Sequence, residues 1–138
     1  MDWITDEVAI GNYLEAQDVA LLKQHAFRSV VSLDGSLSAK SAAEFGLAEV
    51  AAYRLIDGAG NDLRLFRYAI DDLRRLARLQ PPVLVQCHAG RSRSAVVVAA
   101  YLMYARKLEP EEAIAAVAAK REINIAPALV ELLHKLGV

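Results

Sequence analysis

The chain is predicted to be an α/β domain: a central, mostly parallel sheet of four to five strands with helices on both faces. Three observations predict it. Short β-branched runs alternate with longer helical patterns, each run is stopped or started by a breaker, and the most apolar stretch follows directly on one of the runs. At 138 residues there is room for one domain with a proper core, so residues 1–138 are read as a single unit.

Val8-Ala9-Ile10, ended by Gly11-Asn12, gives the first strand, and Gln17 to Gln24 a short helix. Ser29 to Leu33 is the second strand, stopped by Asp34-Gly35. A small helix over Ala39 to Phe45 has Gly46 placed as its C-terminal cap, and Glu49 to Ile56 returns as a strand. From Leu63 to Gln80 the periodicity is clearest, with Phe66, Ile70, Leu73 and Leu76 on one stripe. Asp62, directly before it, suits the N-cap, and Asp71 four residues before Arg75 suits an ion pair along the helix surface. Pro81-Pro82 breaks the pattern before the strand Val83 to Gln86, and Ala95 to Tyr104 is apolar on nearly every side, the mark of a helix buried all round. Pro110 and Pro127 open two last helices; Lys120 and Arg121 are expected to sit at the negative end of the first of these.

Composition narrows the functional classes. A net charge of −1 gives no global basic field, which argues against a nucleic-acid partner. The longest apolar run, Ala95 to Ala105, is well short of the roughly 20 residues a membrane span needs, so no membrane partner is expected. One cysteine excludes an internal disulfide, and the N-terminal residues lack the pattern of a signal peptide, so a cytoplasmic protein is expected. A monomer is the default expectation, without a residue pattern that carries it. His25, His88 and His134 lie far apart without metal-ligand spacing, and neither a metal nor another cofactor is expected.

The chemistry concentrates in Cys87-His88-Ala89-Gly90-Arg91-Ser92-Arg93-Ser94, between the Val83 strand and the buried helix. A strand-to-helix turn with Gly90 to permit close approach aims backbone N–H groups and a helix N-terminus at one point, which makes an anion site. A thiol at its mouth is favoured as thiolate, the nucleophilic form. Arg93 brings a planar fork suited to two phosphate oxygens, and the Ser94 hydroxyl is placed to steady the sulfur as a leaving group. Phosphate, sulfate or vanadate fits the same loop. A buried inert cysteine is the plain alternative reading.

Cys-x5-Arg followed by Ser, in this setting, resembles the signature of the cysteine-dependent protein tyrosine phosphatases, and Gly-x-Ser-Arg-Ser is similar to the dual-specificity branch. Arg121-Glu122-Ile123 with Pro127 also resembles the family's late loop near the pocket. The resemblance implies Cys87 as nucleophile and Arg93 as phosphate clamp, with the amides of His88, Ala89, Gly90, Arg91 and Ser92 binding substrate. It further implies a general acid on a loop after a strand. Asp57, in Asp57-Gly58-Ala59-Gly60-Asn61, fits that loop, at the carboxyl end of the strand run where open α/β sheets gather their sites. Asp before Gly is also an ordinary turn start. One departure stands out: the branch usually has His directly before the nucleophile, and this chain has Gln86, so retuning of Cys87 is expected. The implied substrates are phosphorylated proteins or small phosphoesters, with phosphotyrosine first, phosphoserine and phosphothreonine next, and inositol phosphates or phosphoinositides suggested by His88 and Arg91. A phosphate-binding pseudophosphatase and a rhodanese-like sulfur transferase are the alternatives from other classes.

Overall fold

The computed structural model describes residues 1–137. Five strands form one sheet in the order β1-β2-β5-β3-β4: β1 (Asp2–Trp3), β2 (Val8–Gly11), β3 (Ser29–Ser32), β4 (Glu49–Ala52) and β5 (Val83–Gln86). All neighbours pair in parallel except β1, which runs antiparallel to β2. The registers Gly11 with Gln86 and Ser32 with Gln86 bring the carboxyl ends of β2, β3 and β5 level. The central strand therefore ends in a crevice between two others, which is where open parallel sheets place their sites.

The strands are buried on both faces, and their alternation divides the core. Val8, Ile10, Val31, Val83 and Val85 join one cluster with residues of α2 (Leu63–Leu79), α3 (Arg93–Arg106), α4 (Pro110–Ala118) and α5 (Pro127–His134). Ala9, Val30 and Leu84 point the other way, into a smaller cluster with Leu22 of α1 (Val19–Gln24), Phe27, Leu37 and Phe45. Helices thus cover both faces, as expected. The helix after the loop is buried from Ser94 through Ala100 and again at Leu102 and Met103, so it is the central post of the larger layer.

Several boundaries differ from the sequence expectation for physical reasons. β1 has only two residues, too few to show a period. β4 stops at Ala52 rather than Ile56: the chain runs on beside β3, with Tyr53 and Leu55 donating to Ser32 and Leu33, but Arg54 makes only an isolated bridge to Asp34. The helix expected at Ala39 to Phe45 is a 3-10 turn over Ala42–Phe45, closed by Gly46 at φ 69°. The expected Asp71 to Arg75 pair does not form. Arg75 instead makes a forked contact to Glu49 on β4 and pairs with Asp72, because a planar guanidinium gains more from two carboxylates than from one exposed neighbour; Asp71 pairs with Arg74. Finally, α4 ends at Ala118, and Arg121 does not serve its terminus.

Asp62 caps α2 as the sequence predicts, accepting the Arg64 N–H at 2.8 Å. That bond and the Arg64 guanidinium hold its carboxyl below the usual carboxylate value, so the cap stays intact at neutral pH and is lost as pH falls through the lowered value. Replacing Asp62 by Ala should lower the melting temperature by a few degrees at pH 7 with the urea m-value unchanged, and this difference should narrow toward pH 3. An unchanged melting temperature at pH 7 would show that the cap contributes nothing.

Candidate active site

The site is built by the turn from β5 into α3. Its defining feature is the partition of its backbone groups. Each carbonyl from Cys87 to Ser92 accepts a bond from outside the loop or from the helix that follows. Cys87 O accepts from Gln86 Nε2 (3.3 Å), His88 O from Tyr13 N (3.2 Å), Ala89 O from Arg121 Nη2 (3.3 Å) and Gly90 O from Arg121 Nε (2.6 Å). Arg91 O accepts from Asn124 N (2.8 Å), and Ser92 O from Val96 N (2.9 Å). Among the described residues, the amides of His88 through Ser92 have no protein acceptor. A loop whose carbonyls are all drawn outward presents its N–H groups inward, as a concave nest for an anion at the positive end of α3.

Gly90 makes this geometry possible. Its φ is +70°, and a Cβ there would lie 2.6 Å from the Gly11 carbonyl oxygen and 2.7 Å from Arg121 Nη2. Positive φ and absence of space both require glycine.

Cys87 lies at the floor of the nest, 1% exposed, with the Ser94 hydroxyl 3.1 Å and the Ser94 N–H 3.5 Å from its sulfur. Both can donate to a thiolate. Arg93 reaches the segment after β4: one Nη donates to Leu55 O at 3.3 Å, and its buried Nε has no acceptor among the described residues. A buried guanidinium N–H without a partner is costly unless an anion meets it.

The carbonyl that holds Arg93 belongs to the segment leading into the loop that carries Asp57. Two residues on, Asp57 is exposed and makes no hydrogen bond or ion pair among the described residues. The loop itself is braced by Asn61, whose Oδ1 accepts from Ile56 N (2.7 Å) and whose Nδ2 donates to Ile56 O (2.8 Å) and Gly58 O (3.1 Å). The brace leaves the Asp57 side chain free while fixing where the loop begins.

Around the rim, His88 stacks on Tyr13 with ring centroids 4.5 Å apart, and Arg91 is exposed with no carboxylate paired to it among the described residues. Ser92 is buried, its Oγ accepting from Ala126 N, just before α5, at 3.0 Å. No group of three metal-ligating side chains occurs among the described residues.

The residues the sequence reading misjudged act on the outside of the loop. Arg121, expected at a helix end, instead holds two loop carbonyls and is itself fixed by Asp2 Oδ2 (2.8 Å) and Ile10 O (3.4 Å). Its similarity to a pocket-side loop was the only sequence signal. Tyr13 carried none, because its partner His88 is brought to it by the fold alone, and the brace of Asn61 is a local loop closure within residues 56–61 that the glycine-rich run did not reveal. Replacing Gly90 by Ala should push the loop against Gly11 and Arg121 and weaken vanadate binding by on the order of 10-fold or more, the effect of about 1.4 kcal/mol. Vanadate affinity equal to wild type would mean the loop tolerates a side chain there.

Comparison with known proteins places this arrangement. Residues 8–136 match the family model described as dual specificity phosphatase, catalytic domain. The dual specificity protein phosphatase PHS1 of Arabidopsis thaliana is 30% identical over 112 residues, 80% of this chain and 12% of that protein. Phosphatidylglycerophosphatase and protein-tyrosine phosphatase 1 of Rattus norvegicus is 54% identical over 54 residues, 38% of this chain; the match spans only 28% of that relative's length. Among solved structures, PTPMT1 superposes with a TM-score of 0.75 at 29% identity, covering 96% of this chain and 90% of that one. The human tyrosine phosphatase-like serine/threonine/tyrosine-interacting protein shares the fold, with a TM-score of 0.82 at 23% identity and coverage of 99% and 95%. Since the matching family model takes in β5, the loop from Cys87 and nearly everything that holds the loop open, the chain belongs to the dual specificity phosphatase family.

Proposed function

We propose that the enzyme hydrolyses phosphomonoesters, with phosphotyrosine in proteins as the leading substrate and phosphoserine or phosphothreonine also admitted, through a phosphocysteine intermediate. The observation that carries this reading is the partition of the loop: carbonyls held outward, amides free, a cysteine beneath them and an arginine with an unmet N–H beside it. In the first step the Cys87 thiolate attacks phosphorus in line with the departing oxygen, the P–O bond breaks, and Asp57 gives its proton to the leaving alkoxide or phenoxide. The amides from His88 to Ser92 and Arg93 hold the three equatorial oxygens as charge redistributes. In the second step Asp57, now a carboxylate, takes a proton from water as that water attacks phosphorus. The S–P bond breaks, and Ser94 and the α3 terminus receive the sulfur as thiolate. Charge neutralisation comes from the loop and Arg93, so the scheme calls for no cofactor.

A second substrate reading rests on the rim. Arg91 is an exposed cation without an acidic partner, and His88 is held beside the pocket by its stack on Tyr13. Both could meet a further anionic group on the substrate, as in an inositol phosphate or a phospholipid head. The related PTPMT1 has been solved in complex with PI(5)P, at 27% identity and a TM-score of 0.71.

Turnover of para-nitrophenyl phosphate in the presence of chelator, blocked by vanadate, is the expected result; phosphate-analogue binding without turnover would instead mark a pseudophosphatase. Asp57→Asn should lower turnover of alkyl or aryl phosphates with basic leaving groups by roughly 10²–10⁴-fold. The loss should shrink as the leaving group becomes a weaker base. Because the acid must carry its proton, the same change should flatten the basic limb of the pH–rate profile. An undiminished basic limb would remove Asp57 from this role. Across a panel of phosphopeptides and inositol phosphates, Arg91→Ala should cost most on substrates with a second phosphate; equal losses on all would show that Arg91 does not select substrate.

A further inference from the structure

Gln86 stands where this branch usually carries histidine, and its surroundings show what the amide does. It is fully buried at the carboxyl end of β5, and Nε2 donates both to Cys87 O and to Ser36 Oγ, each at 3.3 Å. The orientation of the amide follows from its neighbours. Ser36 Oγ lies 2.6 Å from Asp34 Oδ1, and an ionised carboxylate only accepts, so the hydroxyl proton points at Asp34 and only lone pairs remain toward Gln86. The NH2 group must therefore face Ser36, which leaves Oε1 buried without a protein partner. Such an arrangement costs stability that a fourth apolar residue after Val83-Leu84-Val85 would avoid.

Asp34 anchors the other end. It lies two residues past the end of β3, its backbone is bridged to Arg54, and its Oδ1 also accepts the Ser36 N–H at 3.0 Å. Partial burial pushes its carboxyl up, but the Ser36 hydroxyl, the Gln86 amide, the Ser36 N–H and the charge of Arg93 outweigh it and hold the group below the usual carboxylate value. Asp34 is thus an acceptor throughout the neutral range, and the chain of donors beneath the nucleophile keeps one direction.

We propose that Asp34, acting through Ser36 and Gln86, is a positioning residue that fixes the Cys87 peptide at the floor of the phosphate loop. The inference rests on the hydrolytic reading above and refines it. It replaces an imidazole that titrates with an amide that does not, so residue 86 contributes no ionisation to the reaction's pH dependence.

A double-mutant cycle tests it, read in two ways. Gln86→Leu should lower kcat by about 10-fold with KM little changed, as expected for a group that aligns the nucleophile. Ser36→Ala should lower kcat by about 3–10-fold in the wild-type background and by almost nothing in Gln86→Leu, because both act through one path. Ser36→Thr, which keeps the hydroxyl, should retain most of the rate. The second reading is independent of turnover. Cys87 is the chain's only cysteine, so the rate of its alkylation by iodoacetamide at one fixed pH reports on that sulfur without any phosphoryl transfer. It should fall in Gln86→Leu and Ser36→Ala, with the same non-additivity. Additive losses, or variants that melt earlier while alkylating and turning over as wild type does, would overturn the relay. If the wild type fails to hydrolyse phosphoesters, the hydrolytic reading falls while the alkylation cycle still decides the relay.

Discussion

The outward pull on the carbonyls of residues 87 to 92 is the constraint on which the rest of the site depends. A peptide unit cannot turn its N–H inward without turning its C=O outward, and a half-buried carbonyl needs a donor. The molecule supplies those donors from widely separated segments: Tyr13 after β2, Arg121 and Asn124 after α4, and Gln86 at the end of β5. Arg121 carries the largest share because a guanidinium can serve Gly90 O, Ala89 O, Ile10 O and Asp2 at once, where an ammonium would approach as a point charge. Its side chain is 12% exposed, and the pairing with Asp2 balances a charge that would otherwise add to the positive loop.

The sheet sets these parts at the right height. With β5 central and level with β2 and β3, Gly11 can approach Gly90 from one side while the segment after β3 reaches Gln86 from the other. α3 holds the loop's far end rigidly because it is buried on nearly every face, so its N-terminus cannot shift without disturbing the larger core. Ser94 is the polar residue among the buried side chains of that helix, and its hydroxyl is spent on the Cys87 sulfur. By contrast the loop that carries Asp57 is exposed, with Leu55 O bonded to Arg93 before it and the Asn61 side chain bracing Ile56 and Gly58 within it. Under the hydrolytic scheme proposed above, the rigid nest would bind throughout while the exposed Asp57 acts on two different oxygens.

Legibility from sequence followed the range of the interaction. The strand, loop and helix around Cys87 could be read because they are contiguous, and each carries a local mark: a β-branched run, a glycine and an unbroken apolar stretch. The cap at Asp62 was legible for the same reason. Arg121 was not, since a basic residue just past a helix fits the helix dipole equally well, and its true partners lie 31 and 119 positions away. The same limit hid Arg75, whose second carboxylate is on β4, and Asp34, which reads as a turn starter before glycine until Ser36 and Gln86 are seen beside it. The departure at Gln86 was visible in the sequence, but its meaning was not.

The central claim is that this nest exists to hold phosphorus for attack by sulfur. Rapid quenching of Asp57→Asn during turnover of para-nitrophenyl phosphate, whose leaving group needs little protonation, should trap phosphate on Cys87, because the first step proceeds while hydrolysis lacks its base. Mass spectrometry of the digested protein would locate it. The account predicts a phosphorylated peptide containing Cys87 and none when Cys87 is replaced by Ser. Turnover with no phosphate on Cys87, retained in the Cys87→Ser protein, would contradict it.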